Sequence, residues 1–347
     1  ELASTQGGLV VPGLFSLSNS AAGLTYPLDG ETNTGVNSYY GSVSLGYKDF
    51  LFLDGTLRRD AFSVLPKGDN TLMTKSLSGS YVFTKTIDKS WLSFGKFRAS
   101  IAESPLGSPG QALVDTYPRT TDFGTNHLYS VASTKSNAGL RPVKSSTQEL
   151  GLEMQFFNRR VGFDVAAYKT LSSGQIFPVA YSTATGYSNQ YVNAGEIENK
   201  GLELGLNTRN LTGDFKWNSS FNISFNENKV VKLGLLKKLP FQNLTSVGES
   251  VILLTEGSAL GSFYGYKVDK VDPTTGILLY KDINGDGKVT TDDRTNIGNP
   301  NPKYTFGFSN DFSYKGFSLD ALITGSQGGD IFNASRMDLT LMNNYNN

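Results

Sequence analysis

From Phe215 to Asn226 the chain alternates apolar and polar side chains. Phe215, Trp217, Phe221, Ile223 and Phe225 share one parity, and Lys216, Asn218, Ser220, Asn222, Ser224 and Asn226 share the other. A period of two sustained this long predicts a β-strand, longer than the usual ~5–6 residues. Leu202-Glu203-Leu204-Gly205-Leu206-Asn207 alternates in the same way across a turn near 209–214. The pattern recurs in Val43, Leu45 and Tyr47, in Leu51, Leu53 and Leu57, and in Leu77, Tyr81 and Phe83. It returns in Trp91, Phe97, Ala99 and Ile101, in Leu150, Leu152, Met154 and Phe156, and in Val161, Phe163, Val165 and Ala167. Tyr304, Phe306, Phe308 and Phe312, then Phe317, Leu319, Ala321 and Ile323, complete a set of roughly ten expected strands. The opposite parity carries Lys96, Arg98, Glu149, Glu153 and Asp164, expected as solvated or paired residues of a polar wall.

The connections have their own rhythm. Short turns are expected near 47–49, 86–90, 158–160, 209–214 and 314–316. Between them lie long segments rich in Gly, Pro and Asn, at about 60–72, 103–146, 171–198 and 227–303. Such alternation predicts an all-β fold: a transmembrane antiparallel β-barrel with short periplasmic turns and long extracellular loops. A soluble antiparallel sandwich also alternates. Strand length, charge on the polar parity and long loops at one end only favour the barrel. About ten strands leave two unpaired edges, so the remaining strands are expected from elsewhere in a larger protein. Residues 1–347 read as barrel throughout. Glu1 is no initiator methionine and no signal peptide is visible, which fits a mature chain or a fragment.

Composition narrows the picture. The chain has 31 basic and 31 acidic residues, so no charge bias points to nucleic acid. It has no cysteine and a single histidine, His127, which excludes a disulfide framework, thiolate metal sites and a zinc cluster. No apolar run approaches the ~20 residues of a membrane helix. Yet 22 Phe, 17 Tyr and 38 Gly, with a mean hydropathy of −0.26, suit a barrel, where only alternate strand residues face lipid.

Four further segments resemble the C-terminal half of the SusC/RagA family of TonB-dependent outer-membrane transporters. They are Asn193-Ala194-Gly195-Glu196-Ile197-Glu198-Asn199-Lys200-Gly201-Leu202-Glu203-Leu204, Gly261-Ser262-Phe263-Tyr264-Gly265-Tyr266, Ile297-Gly298-Asn299-Pro300-Asn301-Pro302-Lys303-Tyr304 and Gly325-Ser326-Gln327-Gly328-Gly329-Asp330-Ile331-Phe332-Asn333. The resemblance spans residues 41 to 333. It implies part of a 22-stranded barrel in the outer membrane, with an N-terminal plug and TonB box outside this segment. It also implies energy from TonB–ExbB–ExbD, a SusD-like surface lipoprotein as a lid, and an oligosaccharide or peptide as cargo. The expected function is therefore nutrient import without bond making, so the chain is not expected to be an enzyme. A passive porin or a calcium-stiffened surface adhesin is the alternative.

One stretch outside the strands carries ligand chemistry. Asp282, Asn284 and Asp286 occupy positions 1, 3 and 5 of an EF-hand-like loop. Lys288 offers its backbone carbonyl at position 7, Thr290 stands at position 9 and Asp293 closes position 12. Calcium, which takes six to eight hard oxygens, is the expected structural ion. Asp rather than Glu at the last position shortens the reach. A metal-free Asn-Gly/Asp-Gly turn would explain Gly285 and Gly287 but not Asp282 or Asp293. Tyr187, Tyr191, Tyr264 and Tyr266 in the loops could stack on sugar rings or pack the loops together. His127 could line a ligand site or sit solvated. Glu149 and Glu153 share a strand face, but a wet lumen would not raise the pKa of either as glycosidase chemistry requires.

Overall fold

The computed structural model describes residues 9, 12–13, 33–106, 113–117, 128–234, 238–243 and 251–336. Glu1–Gly35 and Val36–Asn347 are separate compact units, and every strand below belongs to the second.

In chain order these are β1 (Val36–Tyr47), β2 (Leu51–Phe62), β3 (Thr71–Tyr81), β4 (Leu92–Leu106), β5 (Thr134–Lys135) and β6 (Val143–Phe156). There follow β7 (Val161–Ser173), β8 (Ile176–Ala180), β9 (Asn189–Asn193), β10 (Glu196–Thr212), β11 (Phe215–Lys232) and β12 (Lys238–Asn243). The remainder are β13 (Val251–Thr255), β14 (Phe263–Tyr266), β15 (Val268–Val271), β16 (Leu278–Tyr280), β17 (Arg294–Gly298), β18 (Tyr304–Tyr314) and β19 (Phe317–Gln327). Ten of them form one antiparallel sheet in the order β1-β2-β3-β4-β6-β7-β10-β11-β18-β19. All the alternating segments read from the sequence fall in or beside this sheet. Its strands also reach into the expected long loops, which narrow to residues 63–70, 107–142, 174–195 and 233–303.

Register converts each strand's alternation into two continuous faces. One rung runs Tyr47, Leu51, Tyr81, Phe97, Leu152, Val165, Leu204, Ile223, Phe306 and Gly325 through all ten strands. The next rung runs Gly46, Phe52, Ser80, Arg98, Gly151, Ala166, Glu203, Ser224, Thr305 and Ser326. A slip of one residue in any strand would break both. The apolar face is open to the surroundings, with Leu150 56% and Leu319 64% exposed, as a lipid-facing surface must be. On β11 the apolar parity extends from Phe215 to Phe225. Ten residue steps span ~33 Å, or ~25 Å for a strand tilted by ~40°, the height of an outer-membrane barrel's apolar band.

The two margins of the band differ. At the short-turn end aromatic rings cluster: Trp91 stacks on Phe156 at 5.7 Å, Trp217 on Phe312 at 5.8 Å, and Tyr47 meets Phe50 edge-on at 5.6 Å. That is the aromatic girdle of a membrane interface. At the loop end the same outward parity becomes charged, with Lys169–Glu198 at 2.8 Å, Lys200–Glu227 at 3.1 Å and Lys144–Glu103 at 3.1 Å. The turn at 314–317 places Lys315 and Gly316 at φ +42° and +89°. That is the primed geometry whose twist matches the strands it joins.

Parity fixes the tolerance of the wall. An arginine at Phe221, on the outward face near mid-band, is expected to cost ~2–4 kcal/mol. An arginine at the adjacent Ser220, which faces the polar side, should cost well under ~1 kcal/mol. Refolding of the full-length barrel into lipid vesicles across a denaturant series measures both.

Candidate functional site

The loop end is where the protein is packed. Among the described residues, apart from Ala166, the buried apolar side chains lie in the long connections or near the strand ends that enter them. Phe62, Leu65 and Leu140 form one cluster, joined by Ile176 and Tyr191. Phe177, Ile197, Val230, Leu233, Leu239 and Leu254 form another, joined by Val179 and Leu260. Strand β8 is the partition between them: Ile176 enters the first, while Phe177 and Val179 enter the second. Ile197 and Val230 are cross-strand partners on β10 and β11 and share the parity of the polar face. At this height the inward face therefore turns apolar, because loops fold against it. Four connections join in this layer, and the small sheet β5-β9-β8 ties two of them together.

Below the layer the inward face is a polar wall with paired charges. The Arg98 guanidinium, on β4, grips Asp164 on β7 through bonds of 2.6 and 2.8 Å and meets Glu149 on β6 at 3.3 Å. Lys96 pairs with Glu153 at 2.8 Å. To reach β7 the arginine must cross β6, and it does so over Gly151, where a Cβ would lie 2.3 Å from its Nε.

The loop singled out for calcium chemistry is shaped by its own acidic side chains. Asp282 accepts from the amides of Gly285 (2.6 Å) and Gly287 (2.7 Å), Asn284 from Asp286 (2.9 Å), and Asp286 from Lys288 (2.8 Å). Gly285 and Gly287 take φ of +77° and +83°, which L side chains rarely adopt. Asp293 is fully buried. Its Oδ1 accepts from Ile283 (2.8 Å) and Asn284 (3.1 Å), and its Oδ2 from the amide of Thr290 (2.7 Å). The amides of Thr290, Asn284 and Ile283 hold its carboxyl below the usual carboxylate range, and the Asp282 carboxyl lies within hydrogen-bonding reach of it. Thr290 and Asp293 form a reciprocal capping box on the short 3-10 turn 291–293. Thr-x-x-Asp is the sequence signal for that box. Among the described residues no three His, Cys, Asp or Glu side chains converge as a metal cluster. The donor set suits a hard cation only together with Asn284, Thr290 and the Lys288 carbonyl.

The candidate aromatic residues have protein partners. Tyr191 packs in the first cluster. The Tyr187 hydroxyl bonds Asp115, and the Lys135 ammonium lies 5.8 Å from its ring and 5.4 Å from that of Tyr181. Desolvation first, then Asp115, raises the Tyr187 pKa. The Ser136 amide, at 2.8 Å, is the main cause that lowers the pKa of Asp115. Tyr264 accepts a 2.7 Å bond from Lys238, and Tyr266 lies against Tyr280 at 5.5 Å and beneath Arg294 at 5.2 Å. His127 lies outside the described residues.

Residues 10–346 match a family model described as TonB dependent receptor-like, beta-barrel. The chain belongs to this family. TonB-dependent receptor barrels reside in the outer membrane, which is the setting of the lipid-facing band described above. TonB-dependent receptor P3 of Formosa agariphila is 31% identical over 326 residues, which cover 87% of this chain and 33% of that protein. TonB-dependent receptor SusC of Bacteroides thetaiotaomicron is 26% identical over 224 residues, 60% of this chain and 22% of that one. Among solved structures, the RagAB peptide transporter superposes with a TM-score of 0.75 at 23% identity, covering 91% of this chain and 36% of that one. The chain thus spans about a third of the length of curated relatives such as P3.

The buried Asp293 carboxylate should make the receptor's loop acid-sensitive. Its folded pKa is depressed, so its contribution is full above the unfolded value of ~3.9 and is lost as pH falls through the lower folded value. The hydrogen-exchange protection factors of amides 283, 284 and 290 should be steady from neutral pH to ~4 and should fall below it. Asp293→Asn, with one acceptor oxygen in place of two, should raise their exchange at neutral pH about tenfold.

Proposed function

We propose that the protein imports a nutrient, an oligosaccharide or a peptide, as the C-terminal part of the barrel of a TonB-energised transporter with a SusD-like surface lipoprotein as its lid. The observation that carries this reading is the inward-leaning loop layer. Ile197 and Val230 bury against Phe177, Leu239 and Leu254, so the connections form a built surface above a polar, charge-paired wall. A surface of that kind suits the capture of a cargo and the docking of a lid. Kinship to SusC, and the likeness in fold to a peptide transporter, support the same reading. In it the chain makes and breaks no bonds: it supplies the conduit wall, and movement of a plug outside this segment opens the path.

Cells expressing the full-length gene should take up cargo only while TonB and the proton-motive force are intact. Uptake that persists unchanged after TonB is removed would instead indicate a passive pore.

We also propose that the loop 282–293 binds a structural calcium ion through Asp282, Asn284, Asp286, Thr290, Asp293 and the Lys288 carbonyl. The oxygen-bearing side chains at loop positions 1, 3, 5, 9 and 12 support this, since calcium takes six to eight hard oxygens. Such an ion would stiffen the long β11–β18 connection. Millimolar calcium should slow proteolytic cleavage within 267–293 several-fold relative to chelator. Equal rates would rule the ion out.

A further inference from the structure

A slot opens in the wall where β11 outlasts its neighbour. Strand β18 pairs with β11 only as far as Ser224 and Thr305, whereas β11 continues to Lys232 alongside β10. The gap is flanked by 225–228 on one side and 299–303 on the other, and Ala259 helps line it. It encloses about 500 Å³, within the ~300–1,000 Å³ of ordinary ligand sites. Tyr168 reaches into it from β7, lying across its cross-strand partner Gly201, where a Cβ would stand 2.6 Å from the phenol ring carbon and hydroxyl. With no side chain beneath it, the ring is held flat against the wall. Its hydroxyl donates to Asn226 Oδ1 at 3.1 Å, which fixes that amide and leaves Asn226 Nδ2 as a donor. Asn301 is fixed in the same manner, its Nδ2 bonded to the Leu260 carbonyl at 3.0 Å, which leaves Oδ1 as an acceptor. Lys200 and Glu227 cancel each other's charge at 3.1 Å, so Lys303 supplies the slot's net charge.

We propose that this slot is a subsite for a hydroxyl-rich sugar unit of a glycan. The inference rests on the import reading and narrows its cargo. A pinned aromatic face beside oriented amide donors and acceptors matches the apolar C–H face and the equatorial hydroxyls of a hexose. A peptide strand would need a run of free backbone on β11. The run available is short, because it ends at Val230, which already donates to Ser258 O at 2.9 Å and accepts from Gly257 at 2.8 Å.

The test uses the full-length transporter, purified with its lid, in calorimetric titrations with maltohexaose, cellohexaose, a hexauronate and a neutral hexapeptide. At least one saccharide should bind. Asn226→Ala and Tyr168→Ala should each raise its Kd about tenfold, and Tyr168→Phe, which keeps the ring, about threefold. Asn222→Ala, lower on the same strand, should stay within twofold. A preference between neutral and acidic saccharides reports on Lys303, and either preference supports the proposal. Because Tyr168→Ala also empties the space over Gly201, Asn226→Ala decides the matter if that variant fails to fold. The proposal is overturned if no saccharide binds, if Asn226→Ala leaves Kd unchanged, or if the hexapeptide is the ligand the variants lose. Peptide uptake driven by TonB with no saccharide binding would overturn the subsite and keep import. Saccharide binding without energised uptake would keep the subsite and overturn import.

Discussion

Inside hydrocarbon an unpaired peptide group has nothing to bond, so a membrane-spanning sheet must satisfy its backbone within itself. The ten-strand ladder is the answer to that constraint, and the rest follows from it. Once pairing is obligatory, register is the remaining freedom, and register decides which side chains meet. Here it aligns a row from Tyr47 to Phe306 as one apolar rung and sets Arg98, Glu203 and Ser224 on the polar rung beside it. The apolar rung needs no protein partner, because lipid supplies one. The two sheet edges, β1 and β19, are incompatible with that environment unless further strands pair with them.

The consequence is a protein whose packed core stands at one end. In a soluble sandwich the apolar parity would be buried between sheets. Here Leu150 and Leu319 are open, while Leu140, Val230, Leu233 and Leu254 in and beside the loops are sealed. The extracellular layer is the part of the chain that must organise itself in water. It does so as soluble proteins do, with apolar clusters, a small sheet and capped turns. Asp293 shows the polar side of the same task, satisfying three backbone amides of a tight loop from a buried position.

Much of the wall was legible in the sequence because period-two alternation and lipid exposure are both local properties. Leu202 to Asn207 and Phe215 to Asn226 needed no distant information to be read as strands. The loop strands were not legible, for physical reasons. Strand β8 carries Pro178 and is apolar on both faces, since Ile176 and Phe177 enter different clusters, so no alternation survives. Strand β5 has two residues and exists because β9 pairs with it. Ile197 and Val230 reverse the rule that the inward parity is polar, and that reversal depends on the loops that bring Phe177, Leu239 and Leu254 over them. The aromatic candidates were legible as residue types only. Whether Tyr264 or Tyr266 meets cargo depends on neighbours such as Lys238 and Arg294, which the sequence does not place beside them.

The glycines of the wall show where local reading could have gone further. Gly151, Gly201 and Gly307 all lie on the polar parity, and each is the direct cross-strand partner of a larger residue that lies over it: Arg98, Tyr168 and Asn222. On the lipid side Phe306 covers Gly325 in the same way. A glycine in a strand interior weakens the strand unless something uses the space it leaves, and a ring laid across it restores the lost contact. In a single-layered wall that space is a ready recess, since a sheet has no second layer to hollow out. At these three inward positions the glycine marks a place where a neighbouring strand's side chain is laid over it and held. Of the three, Gly151 serves a structural ion pair and Gly307 seats an amide. Gly201 pins the ring that borders the gap between β11 and β18, so the one glycine beside a break in the ladder is also the one beside a cavity.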